Sequence, residues 1–359
     1  MVECISEAIE IDEIEDVRDE HVNFLYTITS YGADYPVDAL IKRLKSGAIF
    51  IPKFQRAYVW GLKEASRFIE SLLLGLPVPG IFVAKESDTG RLLVIDGHQR
   101  LKTLEFFYDN DFNSKGPFEL DEVNDEFLKS TYFTLKDQHR RRLDDSIIHL
   151  TIVRQDQPSD DNSSIYQIFE RLNSGGKRLE PQEIRACIYH GEFNDLLSEL
   201  NNKEEWRILL RSKGPQIHLK DCEMILRFFA LFYERNNYEK PMKKFLNGFM
   251  SSNKHLDKYS KEALTNLFYD TIEVIYNNLN RKVFVLSTRV NVALFDAIMV
   301  GIATRLIRGK ILNGKLLQGK YDALLKDERF YNSCKSGTTD ESFIEYRINK
   351  AIKAFDEVD

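Results

Sequence analysis

The chain is short of the features that would give its function away. Its 359 residues include four cysteines, Cys4, Cys187, Cys222 and Cys334, all far apart. No pair has zinc-ligand spacing and no disulfide framework is implied, so the thiols read as reduced and the location as cytoplasmic. No apolar run is long enough to span a bilayer, which removes the membrane as a partner. The N-terminus is acidic from Glu3 to Glu20, the opposite of a secretory or transit segment. Positive charge is not in excess: 50 Lys and Arg face 56 Asp and Glu, a net charge of −6. That argues against a uniformly basic nucleic-acid wrapper but leaves room for a local basic groove. There is no G-x-x-x-x-G-K-[S/T] loop, no nucleophile elbow and no H-E-x-x-H, and the seven histidines are scattered. No carboxylate cluster suggests a metal nuclease. No fixed repeat and no low-complexity segment occurs.

What remains is an ordinary soluble composition, 43% hydrophobic and 30% charged, with enough length for two domains or one large one. The most informative stretch is Arg91–Phe107, RLLVIDGHQRLKTLEFF. Leu92 to Ile95 is a run of strand formers; Leu101, Leu104 and Phe107 have helical spacing. Between them lies the loop Asp96-Gly97-His98-Gln99-Arg100. A strand–loop–helix corner brings backbone N–H groups and the positive end of a helix dipole to one point. Arg100 adds a guanidinium fork suited to phosphate. Asp96 reads either as a helix cap or as a group that holds a metal–phosphate complex or orients a water.

Around this corner the chain reads as a compact α+β unit. Pro36 to Leu44 predicts a short helix, and Ile49–Trp60 an extended piece that Pro52 limits to an edge. Leu62–Leu74 predicts a helix with Gly75 as its C-cap. Ile81–Ala84 is a strand joined to the next by a hairpin turn at Asp88-Thr89-Gly90. Residues 109–145 are polar and carry a basic cluster, Arg140 to Arg142. Ile147–Val153 is a strand and Ser163–Leu172 a helix, followed by Asn173-Ser174-Gly175-Gly176-Lys177. Pro181 fits the first turn of another helix. From about residue 190 the pattern is helical, with stripes over 221–235, 241–250, 260–280, 291–308 and 340–356. The expected layout is an acidic arm over 1–30, an α+β domain over 31–190 and an all-α domain over 191–359.

Two further motifs accompany the corner. Gln55, Arg56 and Trp60 fit an edge strand with a core tryptophan, or a polar pair and an aromatic plate facing a planar or phosphorylated ligand. Gly175 and Gly176 fit a helix C-cap and turn, or a backbone approaching a ligand closely.

Three stretches in this order and spacing resemble one family: Pro52-x-Phe54-Gln55-Arg56-x-Tyr58-Val59-Trp60; Val94-Ile95-Asp96-Gly97-His98-Gln99-Arg100-Leu101; and Phe169-x-Arg171-Leu172-Asn173-Ser174-Gly175-Gly176, continuing through Gln182-Glu183-x-Arg185. They are similar to the ParB-like N-terminal domain of GmrSD-type, modification-dependent restriction enzymes and their stand-alone relatives, whose hallmark is an Asp-Gly-Gln-Gln-Arg loop. The segment Arg289-x-Asn291-x-Ala293-Leu294-Phe295-Asp296-Ala297 adds to the likeness. The resemblance implies a ParB/sulfiredoxin-like fold and binding of a nucleoside triphosphate with Mg²⁺. It also implies a setting in defence against foreign or modified DNA, beside DNA and a nuclease or other defence subunit. An oligomer is compatible with it.

Carried over, Asp96 and Gln99 take catalytic roles, with Asp96 on the metal and Gln99 orienting water. Gln55, Arg56, Trp60, Gly97, His98, Arg100, Asn173, Gly175 and Gly176 take the nucleotide and its phosphates. Two positions depart from the pattern. His98 stands where the hallmark has glutamine and brings a group that titrates near neutral pH. The tail carries no His-Asn-His nuclease signature, so cutting would fall to a partner. Two other readings stay open. One is a non-enzymatic DNA-binding or protein-interaction sensor, with Arg140–Arg142, Lys177-Arg178 and Lys243-Lys244 as its footprint. The other is a nuclease on the same fold.

Overall fold

In a computed structural model, residues 11, 27–52, 58–157, 163–172, 179–216 and 218–359 are described. Most of the acidic arm, Gln55, Arg56, Asn173, Gly175, Gly176, Lys177 and Arg178 lie outside the described residues. The described chain divides into two compact units. One holds residues 27–179 and Ala186–Ile188; the other holds Ile11, Glu180–Arg185 and Tyr189–Asp359.

The first unit contains β1 (Thr27–Pro36), α1 (Val37–Lys45), β2 (Ile49–Phe50), α2 (Leu62–Leu74), β3 (Ile81–Lys85), β4 (Leu92–Asp96), α3 (His98–Asp109), α4 (Asp137–Asp145), β5 (Ile147–Gln157) and α5 (Ser163–Leu172). The strands form one sheet in the order β1-β5-β3-β4-β2. β1–β5 and β3–β4 are antiparallel; β3–β5 and β2–β4 are parallel. This is the expected α+β architecture, and the hairpin expected at Asp88-Thr89-Gly90 joins β3 to β4.

Alternation on β5 sets the layers. Ile148, Leu150 and Ile152 are buried with Val83, Val94, Leu40, Ile69, Leu104 and Leu143 in one core. Ala84, Leu93, Ile95 and Val153, from the alternate positions, are buried as well, and α5 packs on β4 and β5. α2 buries Ala65, Phe68, Ile69, Leu72 and Leu73. It stops at Gly75, at φ 74°, where Gly75 N–H donates to Leu72 O and Leu76 N–H to Ser71 O, a Schellman ending. The basic cluster of the sequence lies on α4. There Arg142 Nη2 donates to Leu74 O at 2.7 Å, at the carbonyl end of α2, and Arg140 pairs with Asp137. Strand β1 begins inside the stretch read as arm. Seven of its ten residues are exposed and none is fully buried, so the apolar alternation that marks a strand is missing there.

The second unit is helical, as expected: α6 (Pro181–Ile188, whose last three residues fall in the first unit), α7 (Glu192–Leu200), α8 (Glu204–Leu209), α9 (Lys220–Glu234), α10 (Met242–Ser252), α11 (Lys261–Asn278), α12 (Val292–Leu306), α13 (Gly314–Lys326), α14 (Glu328–Ser333) and α15 (Glu341–Asp356). Pro181 sits in the first turn of α6, and Glu180 and Glu183 close a capping box. α12 is buried on nearly every face, as an apolar helix at the centre of a bundle must be. It packs against α9, α11 and α15. Asn291 caps it by accepting from Leu294 N–H at 2.7 Å and donates to Cys334 O at 2.9 Å.

Asp296 on α12 is fully buried. It takes a two-pronged bond from Arg227 of α9 (Nε–Oδ1 3.1 Å, Nη2–Oδ2 2.5 Å) and a longer one from Arg347 of α15 at 3.4 Å. Phe228 and Phe229 are core residues, and Tyr233 stacks on Tyr259 with ring centroids 3.9 Å apart. Among the described residues, no helix is long and apolar enough to cross a membrane.

Candidate functional site

The corner singled out in the sequence is built as its residues dictate. β4 ends at Asp96, Gly97 turns the chain at φ 96°, and α3 starts at His98. Only glycine takes this backbone without strain. Space makes the same demand: a Cβ at Gly97 would lie 2.9 Å from Ile81 Cγ1 in the core. Gly97 O accepts from Leu101 N–H at 3.0 Å and closes the first turn of α3. A glycine cap brings no side chain of its own to the helix N-terminus, so no side-chain cap hydrogen bond forms there.

Arg100 is not held out toward solvent. Its Nη1 donates to Pro79 O (2.6 Å) and Gly80 O (2.5 Å), and its Nη2 to Asp96 Oδ2 (2.8 Å). The side chain is only 13% exposed, against 42% for Asp96. The fork therefore ties the helix to the segment entering β3 and to the end of β4. Asp96 keeps Oδ1 without a partner among the described residues.

Gln99 faces the other motif. Its Oε1 accepts from Val59 N–H at 3.0 Å and from Trp60 N–H at 3.3 Å. With the carbonyl fixed by two donors, its Nε2 must be the atom 2.7 Å from His98 Nε2. The imidazole accepts that bond, which places the ring hydrogen on Nδ1. Tyr58 adds a second tie: its hydroxyl is 2.8 Å from Thr103 Oγ1, which donates to Gln99 O at 2.8 Å. The Tyr58 ring packs edge-on against Phe106 and Phe112. Burial pushes the Tyr58 phenol pKa up, against the Thr103 hydrogen bond that lowers it. Trp60 packs edge-on against Phe68 of α2, a half-buried position at the rim of the core.

Thus the structure brings together Trp60, Asp96, Gly97, His98, Gln99 and Arg100. Sequence reasoning missed Tyr58, Thr103 and the Pro79 and Gly80 carbonyls. Thr103 did leave a trace, because it falls one turn beyond Gln99 on the same helix face.

A five-stranded mixed sheet whose Asp-Gly-x-Gln-Arg corner is cross-tied to a Tyr-Val-Trp segment defines a particular class of α+β domain. Residues 37–190 match the family described as the GmrSD restriction endonuclease N-terminal domain. A domain of this kind indicates a role in a restriction or defence system. No curated protein matches the chain.

Proposed function

We infer that the chain is the nucleotide-responsive part of a restriction-type defence system and binds a nucleoside triphosphate at the Asp96–Arg100 corner. The observation that carries this reading is the geometry at Gly97. The first turn of α3 opens directly off a strand end, with no cap side chain of its own, beside an acidic side chain. Such a helix N-terminus suits phosphate oxygens.

The side chains divide the work. Backbone N–H groups of the first turn of α3 and the His98 ring face the phosphates. Arg100 acts from behind, by fixing the corner, and Gln99 holds the Tyr58–Trp60 segment against it. Asp96 fits a magnesium ion that arrives with the triphosphate, since one carboxylate plus phosphate and water oxygens is the usual set for that ion. Bound there, the metal would supply charge neutralisation. Phosphoryl transfer needs positioning and neutralisation more than covalent chemistry, so hydrolysis is within this set's means. DNA and a nuclease subunit are the partners that the family supports.

Calorimetry of the purified chain with each triphosphate and Mg²⁺, followed by a phosphate-release assay, tests the reading. Binding should occur and should weaken at least about tenfold, roughly 1.4 kcal/mol, in Asp96→Asn. A chain that binds no triphosphate with or without Mg²⁺ overturns the reading. Binding without phosphate release restricts it to a sensor.

A further inference from the structure

The two edges of the sheet are unlike. At one end β2 is two residues long and is followed, after Ile51, by Pro52, a short edge that offers little to pair with. At the other end β1 is ten residues long and, among the described residues, has a neighbour on one side only. Edge strands ordinarily carry lysine, proline or a bulge that prevents a further strand from joining. β1 has no lysine or arginine, no proline before its last residue, and a register shift only at Thr27/Ile28. Its exposed residues include Ile28 at 41% and Tyr31 at 42%.

The one charged residue of β1 is already answered within its own sheet. Asp34 lies opposite His149 of β5, 2.8 Å from its Nδ1. The edge therefore carries one charged residue in ten, in a chain that is 30% charged.

We propose that β1 pairs antiparallel with β1 of a second copy of this chain, joining two five-stranded sheets into one across a two-fold axis. Symmetry and chemistry agree on this occupant. A two-fold axis perpendicular to a sheet pairs residues of the same parity, so the axis passes through a residue near mid-strand, Tyr31 or Gly32. With Tyr31 on the axis, Asp34 falls opposite Ile28 of the other copy; with Gly32 on the axis, opposite Ser30. Neither register sets like charges against each other. The pairing closes on itself, because the joined sheet then ends in a short β2 edge on each side, which offers little to extend it. A dimer, not a filament, is the product. The inference does not depend on nucleotide binding.

Sedimentation equilibrium of the full chain across the micromolar range tests it, beside Tyr31→Lys. The substituted position is exposed at 42%, and a lysine there either faces its symmetry mate or is carried into a strand pair whose positions around it hold no acidic partner. The parent chain should reach twice the mass of one chain, and Tyr31→Lys should stay at one, with an unchanged far-UV circular dichroism spectrum. Amide exchange should show β1 protected in the parent dimer and faster in the variant. A parent that stays monomeric, or forms an open series of larger species, overturns the proposal. So does a Tyr31→Lys variant that dimerises as well as the parent, since another surface would then hold the copies together. If the variant loses its dichroism spectrum, the β1 amides of the parent alone decide: exchange that does not slow as the dimer forms ends the proposal.

Discussion

Arg100 reaches back one helical turn to Asp96, with Nη2 2.8 Å from Oδ2, and spends its other terminal nitrogen on the carbonyls of Pro79 and Gly80. A side chain that reads in sequence as a phosphate fork is thereby the clamp that holds the strand–helix corner to the start of β3. Removing it should cost stability first.

Arg100→Ala should lower the free energy of unfolding by about 1–3 kcal/mol, the range for losing charge-assisted bonds to partners left without a donor. Arg100→Lys should recover little, because an ammonium cannot span the same three acceptors in one plane. Urea unfolding checks both. A variant with parental stability and lost triphosphate binding would instead make Arg100 a ligand contact.

Gly97 is under two independent constraints, and a double-mutant cycle separates them. Gly97→Ala should cost about 2 kcal/mol or more, from its left-handed backbone and from the Cβ meeting Ile81. Ile81→Ala alone should cost about 2–5 kcal/mol as a buried truncation. The double variant should be less damaged than the sum, because the shortened side chain makes room for the new Cβ. Strict additivity would mean that the backbone conformation, not the contact, decides the cost.

In the helical unit, the two arginines around Asp296 are unequal. Asp296→Ala should cost about 3–5 kcal/mol, since it strands two buried guanidinium groups. Arg227→Met should also be costly, because it removes the two-pronged bond. Arg347 makes only the long contact, and its Nε and Nη1 have no hydrogen-bond partner among the described residues. Burial, the largest influence on it, lowers its pKa. Arg347→Met should therefore be neutral within about 1 kcal/mol or stabilising. Thermal unfolding of the three variants ranks them.

Cys334 gives a pH signature. Burial pushes its thiol up to about 11, from an ordinary value of 9.0. Its pKa is higher folded than unfolded, so its contribution to stability is whole below pH 9 and is lost as pH rises toward 11. Stability measured from pH 8 to 11 should fall, and less so in Cys334→Ala after allowing for the packing lost. In the native state at pH 8, Cys334 should resist thiol reagents until the chain unfolds.

Tertiary structure changed the meaning of some residues and not of others. The sequence alone determined the β3 hairpin, the break at Asp96-Gly97, the stripes of α2 and α12 and the Pro181 start of α6. Each is a local decision, taken by periodicity, a glycine or a proline within a few residues. It could not announce β1, whose exposed residues carry no alternation and whose strand state comes from pairing with β5, more than a hundred residues along the chain. Nor could it tell that Gln99 turns toward Val59 and Trp60, or that Arg100 turns away from solvent. Those side chains are long and polar, and which acceptor they find depends on what the fold brings within about 3 Å, a matter of geometry and not of composition.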